Sequence, residues 1–181
     1  MVVDNLIIAH NHFGQGHGMS IGSETNVGVK NVKVCDLSLD GTKYGIRIKS
    51  DVSRGGLVKG ISYTDVCMRN VSQPLVFNPY YSSGATGTSI PDFQDIRLTN
   101  VHVLGAGTVR LSGYDASRPL TLSMDNVVFD ASPTINASNA AITLGPGPVN
   151  ILPSGTGVTV IDNVTAAAAP RDCSNAWVPF I

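Results

Sequence analysis

Short β-branched stretches with an apolar residue at every second position run the length of this chain, separated by Gly, Asn, Asp and Ser. Val32-Lys33-Val34, Gly45-Ile46-Arg47-Ile48-Lys49, Leu75-Val76-Phe77 and Thr108-Val109-Arg110-Leu111 are examples, and hardly a segment has the spacing of an amphipathic helix. The stretches recur as a unit: a short strand, a corner of Asn, Asp or His, a second strand, a Gly-rich turn and a third strand. With His10, Asp36, Asp65, Asn100 and Asn126 as the equivalent corner, the steps are 26, 29, 35 and 26 residues. Irregular repeats of this length predict an all-β chain wound as a right-handed parallel β-helix, because each coil stacks on the next and only inward residues must match. A β-sandwich is the competing reading of the pattern alone. The register between coils favours the solenoid.

That register maps one outer face. If Ile46 and Ile48 point inward, Arg47 and Lys49 point outward, about 7 Å apart along the strand. One coil back, Met19 and Ile21 point in and Ser20 and Gly22 out. The following coils place Val76 and Asn78, then Arg110 and Ser112, on the same face. The outer columns are therefore Ser20, Arg47, Val76, Arg110 and Gly22, Lys49, Asn78, Ser112. Small residues beside two long cations leave room for a ligand.

Charge makes that pair conspicuous. The chain has 181 residues, 12 Lys+Arg against 13 Asp+Glu and a formal net charge of −1. This balance argues against a generic nucleic-acid or anionic-membrane binder, which needs surplus cations. No apolar run approaches the 18 or so residues of a membrane span. An Arg beside a Lys suits an anion, since the guanidinium grips a carboxylate at two points and the ammonium adds a mobile charge. In a chain that is not basic overall, the pair points to a specific acidic ligand, and an acidic sugar polymer fits.

The other chemically useful group is His17, in Gly16-His17-Gly18-Met19-Ser20-Ile21-Gly22-Ser23. Flanking glycines leave it unshielded and allow turn geometry that a β-carbon forbids, so it is expected exposed and free to hydrogen-bond a ligand or a carboxyl group. A plain turn histidine is the alternative. Cys35, Cys67 and Cys173 are too few and too scattered for a disulfide framework or a zinc site and read as ordinary thiols. No cofactor or metal is expected.

Gly16 to Ser23 followed by Arg47-Ile48-Lys49 resembles two of the four motifs of glycoside hydrolase family 28, the polygalacturonases and their relatives. The resemblance implies a right-handed parallel β-helix of the pectin-lyase-like kind and inverting hydrolysis of α-1,4-galacturonosyl bonds in pectin. It implies that His17 is the active-site histidine, supporting the protonation state of the catalytic carboxyls. It further implies that Arg47 and Lys49 bind the galacturonate carboxylate at the cleavage site. Tyr81, 34 residues after Arg47, matches a substrate-contacting tyrosine more loosely, with Tyr80 as the alternative.

The family's other two motifs, an Asn-Thr-Asp and a following Asp-Asp, supply its catalytic carboxyls and lie before the Gly-His-Gly motif. Here the residues before Gly16 hold a single acid, Asp4. An inverting glycosidase needs two carboxyls roughly 6.5–9.5 Å apart, and Asp36, Asp40, Asp51 and Asp65 read instead as turn formers and surface charges. Residues 1–181 are therefore expected to be one partial β-helix domain, the C-terminal coils of such an enzyme, holding the substrate clamp without the acids and inactive alone. A non-catalytic solenoid that binds acidic polysaccharide is the alternative. Calcium-dependent lyase chemistry on a similar fold would require acidic clusters that the sequence does not show.

The repeat wears out from about residue 130 onward into Ala, Ser, Pro and Gly. A capping tail follows, with Trp177 and Phe180 expected to cover the end of the solenoid; a frayed terminus is the alternative. The start, Met1-Val2-Val3-Asp4, is unlike a signal peptide, while the resemblance implies that the complete protein is secreted or periplasmic. The first coil, with Leu6, Ile8 and Phe13, is expected to be open at its edge and to permit self-association.

Overall fold

The computed structural model describes residues 2–166 and 169–178. Twelve strands and no helix occur among them. A seven-stranded sheet takes the order β1 (Val3–Gly14), β3 (Val29–Asp40), β5 (Leu57–Arg69), β7 (Asp92–Leu104), β9 (Leu120–Phe129), β11 (Ala140–Leu144) and β12 (Val158–Asp162). A five-stranded sheet takes the order β10 (Thr134–Ser138), β8 (Thr108–Ser112), β6 (Gln73–Asn78), β4 (Tyr44–Lys49) and β2 (Met19–Ile21). Neighbours within each sheet are parallel. From β1 to β11 the chain alternates between the two sheets, which is the parallel β-helix expected.

The corners explain why strands of 12 or 13 residues can wrap a narrow solenoid. His10, Asp36, Asp65, Asn100 and Asn126 all have φ between 51° and 60°, the left-handed region that Asn and Asp tolerate better than most residues. Each bends its strand at the same level, so the polar side chains stack from coil to coil. The Asn126 amide donates to Asn100 Oδ1 at 3.0 Å, and the Asn100 amide to Asp65 Oδ1 at 3.1 Å. A second bend in the same sheet falls at Asn5, Asn31, Gly60 and Asp95.

Inside, apolar residues stack in register. Val32, Ile61, Ile96 and Leu122 form one buried column, and Leu37, Val66, Val101 and Val127 another. On the five-stranded sheet Ile48, Phe77 and Leu111 do the same. Each column removes apolar surface from water at roughly 25 cal/mol per Å² and fixes strand register, since a slip of one residue would turn every side chain outward. β1 lies at the sheet edge, where Leu6 and Ile7 are 42% and 69% exposed while Ile8 and Phe13 pack against the core.

The cysteines differ from the expectation of three ordinary thiols. Cys67 and Cys173 form a disulfide, and Cys35 is free. Cys67 points outward from β5 just beyond the Asp65 corner, and the tail passes over that position. Arg171 reaches Asp65 at 3.0 Å and Asp36 at 3.4 Å, and its carbonyl oxygen lies 2.8 Å from His102 Nδ1. Trp177 lies with its ring 4.3 Å from the Arg69 guanidinium, so the tail straps the outer wall at Asp36, Cys67 and Arg69. Phe180 lies outside the described residues.

Candidate substrate-binding site

The first outer column read from the sequence is present in full and the second in part. Ser20, Arg47, Val76 and Arg110 sit side by side on successive strands, and Asn136 continues the row. Lys49 pairs with Asn78 in the neighbouring row. Gly22 lies just beyond β2, pressed so closely to β4 that a β-carbon would collide with the Lys49 carbonyl oxygen. Val76 is 4% exposed yet belongs to no part of the interior cluster, so it forms the covered floor of this outer face.

Glycine geometry places His17. Gly16 and Gly18 have φ of 77° and 63°, and a β-carbon on Gly18 would collide with the carbonyl oxygen of Tyr44. The absence of that carbon lets the turn after β1 press against the start of β4. The exposed His17 ring then lies 5.7 Å from the Tyr44 ring, tilted by 40°.

Tyr44 joins His17 to the cations. The Arg47 guanidinium sits 3.8 Å from the Tyr44 ring centre and 5.3 Å from that of Tyr81, while Lys49 Nζ is 3.9 Å from the Tyr81 ring. Arg47 is thus held between aromatic faces, an attraction of cation to ring quadrupole that strengthens when water is excluded. It is 7% exposed, and its Nε has no hydrogen-bond partner. Interaction of the Lys49 ammonium with the Tyr81 hydroxyl, aided by Arg47, draws that phenol below its ordinary pKa.

The two candidate tyrosines part company. The Asn78 side chain accepts a hydrogen bond from Tyr80 N at 3.0 Å, turning the chain at the end of β6. Tyr81 folds back towards Lys49, whereas Tyr80 stacks on Tyr114 with ring centres 5.3 Å apart. Tyr44 was not found by sequence reasoning. Strand alternation groups it with inward Ile46 and Ile48, but a β-carbon on Gly45 would meet Met68, so Gly45 takes an inward place and the phase breaks there.

No strand of the five-stranded sheet contains Asp or Glu, although the sheet carries Arg47, Lys49 and Arg110. The acids near the motifs lie elsewhere. Asp36 and Asp65 meet Arg171 on the outer wall, and Asp40 meets Arg69 at 2.6 Å. Buried Asp51 pairs with Ser53 and Arg54 beyond the end of β4. Burial pushes the Asp51 carboxyl up, but hydrogen bonds from Ser53 and Ser82 outweigh it and hold the group below its ordinary value. Among the described residues, then, the site presents cations, aromatic faces and a histidine, with no carboxyl pair beside them. Its cations suit an anion, and the two acids that inverting hydrolysis uses are not beside them.

Fold and site together describe a β-solenoid with a cationic, aromatic cluster on one outer face, and comparison with known proteins agrees on the fold. The family model of glycosyl hydrolases family 28 matches residues 2–145. A polygalacturonase of Ralstonia nicotianae is 45% identical over 203 aligned residues, covering 97% of this chain and 38% of its own length. An endo-polygalacturonase of Pectobacterium parmentieri is 44% identical over 76% of this chain and 34% of its own. The solved polygalacturonase from Erwinia carotovora ssp. carotovora superposes with a TM-score of 0.72 at 41% identity, covering 77% of this chain and 36% of that one. The chain belongs to glycosyl hydrolase family 28. It spans little more than a third of the length of these relatives.

Proposed function

We propose that these coils are the substrate clamp of a polygalacturonase, the C-terminal part of an enzyme that hydrolyses α-1,4-galacturonosyl bonds of pectin with inversion. The observation that carries this reading is Arg47 held between Tyr44 and Tyr81 with Lys49 alongside, on a sheet without acids. In this reading Arg47 and Lys49 bind one galacturonate carboxylate, Tyr81 packs against the sugar, and exposed His17 tunes the protonation of carboxyls brought up to it. Neither the Asn-Thr-Asp nor the Asp-Asp motif occurs in the sequence. The chain alone therefore binds polygalacturonate and releases no reducing ends. The Cys67–Cys173 disulfide fits an oxidising compartment and supports secretion or a periplasmic location.

Titrating oligogalacturonate into wild type and Arg47→Ala tests the clamp. We expect Arg47→Ala to weaken binding by at least about tenfold, the scale of one charge-assisted hydrogen-bonded contact. Equal affinities would remove Arg47 from the site. A binding-only solenoid is the second reading, favoured by the lack of acids beside the clamp. It replaces the first if the chain, joined in frame to coils carrying both Asp motifs, still releases no reducing ends from polygalacturonate.

A further inference from the structure

Arg110 is the one charged residue of the five-stranded sheet that the clamp leaves unused. It stands in the same outward row as Arg47, two strands further along the solenoid, with Val76 between them. Neighbouring strands are about 4.8 Å apart, so the two arginine backbones are separated by about 10 Å along the axis. Arg110 is exposed on β8, and among the described residues no carboxylate lies within ion-pair distance of it.

Three other partly or fully exposed arginines are paired, whereas half-buried Arg118, like Arg110, makes no ion pair among the described residues. Arg54 meets Glu24, Arg69 meets Asp40 and Arg97 meets Asp95. The acid near the end of β8, Asp115, is already committed: its Oδ1 accepts hydrogen bonds from Ser117 N, Ser117 Oγ and Arg118 N. Two residues beyond the ends of β6 and β8 stands the stacked pair Tyr80 and Tyr114, where the Tyr80 hydroxyl donates to the Tyr114 carbonyl. A free guanidinium in the clamp's own row offers a carboxylate partner, and the aromatic pair further along the same strand ends offers an apolar face, the two features that a uronate chain presents in return.

We propose that Arg110 is a second carboxylate-binding position, so that this face holds two acid groups of one polyuronate chain laid along the solenoid axis. The inference rests on the clamp reading above. The two positions are too far apart to serve one sugar, so Arg110 adds affinity only for oligomers.

The test is titration of galacturonate monomer and of α-1,4-linked tetragalacturonate into the 181-residue chain and three variants. Arg110→Gln is expected to weaken tetramer binding about tenfold while leaving monomer binding as in wild type. Arg47→Gln is expected to weaken both ligands. Arg97→Gln, on the other sheet and paired with Asp95, is the control and should change neither. If Arg110→Gln binds tetramer like wild type while Arg47→Gln is impaired, the second position is wrong and the clamp stands. If wild type binds neither ligand, the clamp reading fails and this inference with it.

Discussion

Tyr63 and Arg47 are both buried polar side chains with an atom lacking a partner, and their surroundings give them opposite meanings. Tyr63 lies inside the solenoid at the level of Val34, Leu98 and Met124, its hydroxyl without a hydrogen-bond partner and its phenol pushed far up by burial. A buried hydroxyl left unpaired costs about 1–3 kcal/mol. Tyr63→Phe keeps the ring and removes that cost, so we expect it to raise the unfolding free energy by about 1 kcal/mol, read from the urea midpoint. A fall in midpoint would mean that the hydroxyl has a partner in solution. Arg47 instead lies on the outer face, against aromatic rings that cannot accept its N–H groups as a carboxylate would. Its Nε is also buried without a partner, but Arg47→Gln removes the cation on which the proposed clamp depends, so it is expected to lose binding without the gain in stability expected at Tyr63.

Among the elements, the corners and inward columns were legible in the sequence because their causes are local. Asn and Asp tolerate positive φ, and apolar residues alternate wherever one strand face is buried. The row Ser20, Arg47, Val76, Arg110 followed by counting from Ile46 and Ile48. Tyr44 was hidden because Gly45 breaks the alternation, which only its approach to Met68 on β5 of the other sheet reveals. The disulfide was hidden because 106 residues separate its cysteines, and nothing near Cys173 says which coil the tail crosses. Closing so long a loop restricts the unfolded chain, and such a bond contributes about 2–4 kcal/mol. Cys173→Ser should lower the unfolding free energy by that amount and expose residues 169–178 to protease, while the β-sheet circular dichroism persists. If reductant leaves the wild-type urea midpoint unchanged, Arg171 and Trp177 hold the strap without the covalent bond.

At the scale of the whole molecule, the near-zero net charge is an average over two unlike surfaces. The seven-stranded sheet carries both acids and bases, several paired with one another or with the tail; the strands of the five-stranded sheet carry cations without acids. Acid acts first on the paired surface. Asp36 has its carboxyl lowered by the hydrogen bond with His10, against opposing burial and with help from Arg171. Asp40 is lowered by Arg69, and Asp51 is lowered by its serine hydrogen bonds despite burial. Each of these groups ionises more readily folded than unfolded, so its stabilising effect is complete above the unfolded carboxyl value of about 3.9 and is lost as pH falls through the lower folded value. We therefore expect a urea midpoint that these aspartates leave flat between about pH 5 and 7 and that drops below about pH 4. Asp51→Asn, which removes the most buried of the three, should lower the midpoint at neutral pH and flatten the acid limb. An acid limb identical to wild type would move the acid-sensitive contact to Asp36 and Asp40 beneath the tail. Acid also protonates the carboxyls of an oligogalacturonate, so binding can be lost there through the ligand or through the fold. Comparing binding with unfolding across the same pH series separates the two: binding lost while the urea transition still shows a folded chain assigns the effect to the ligand.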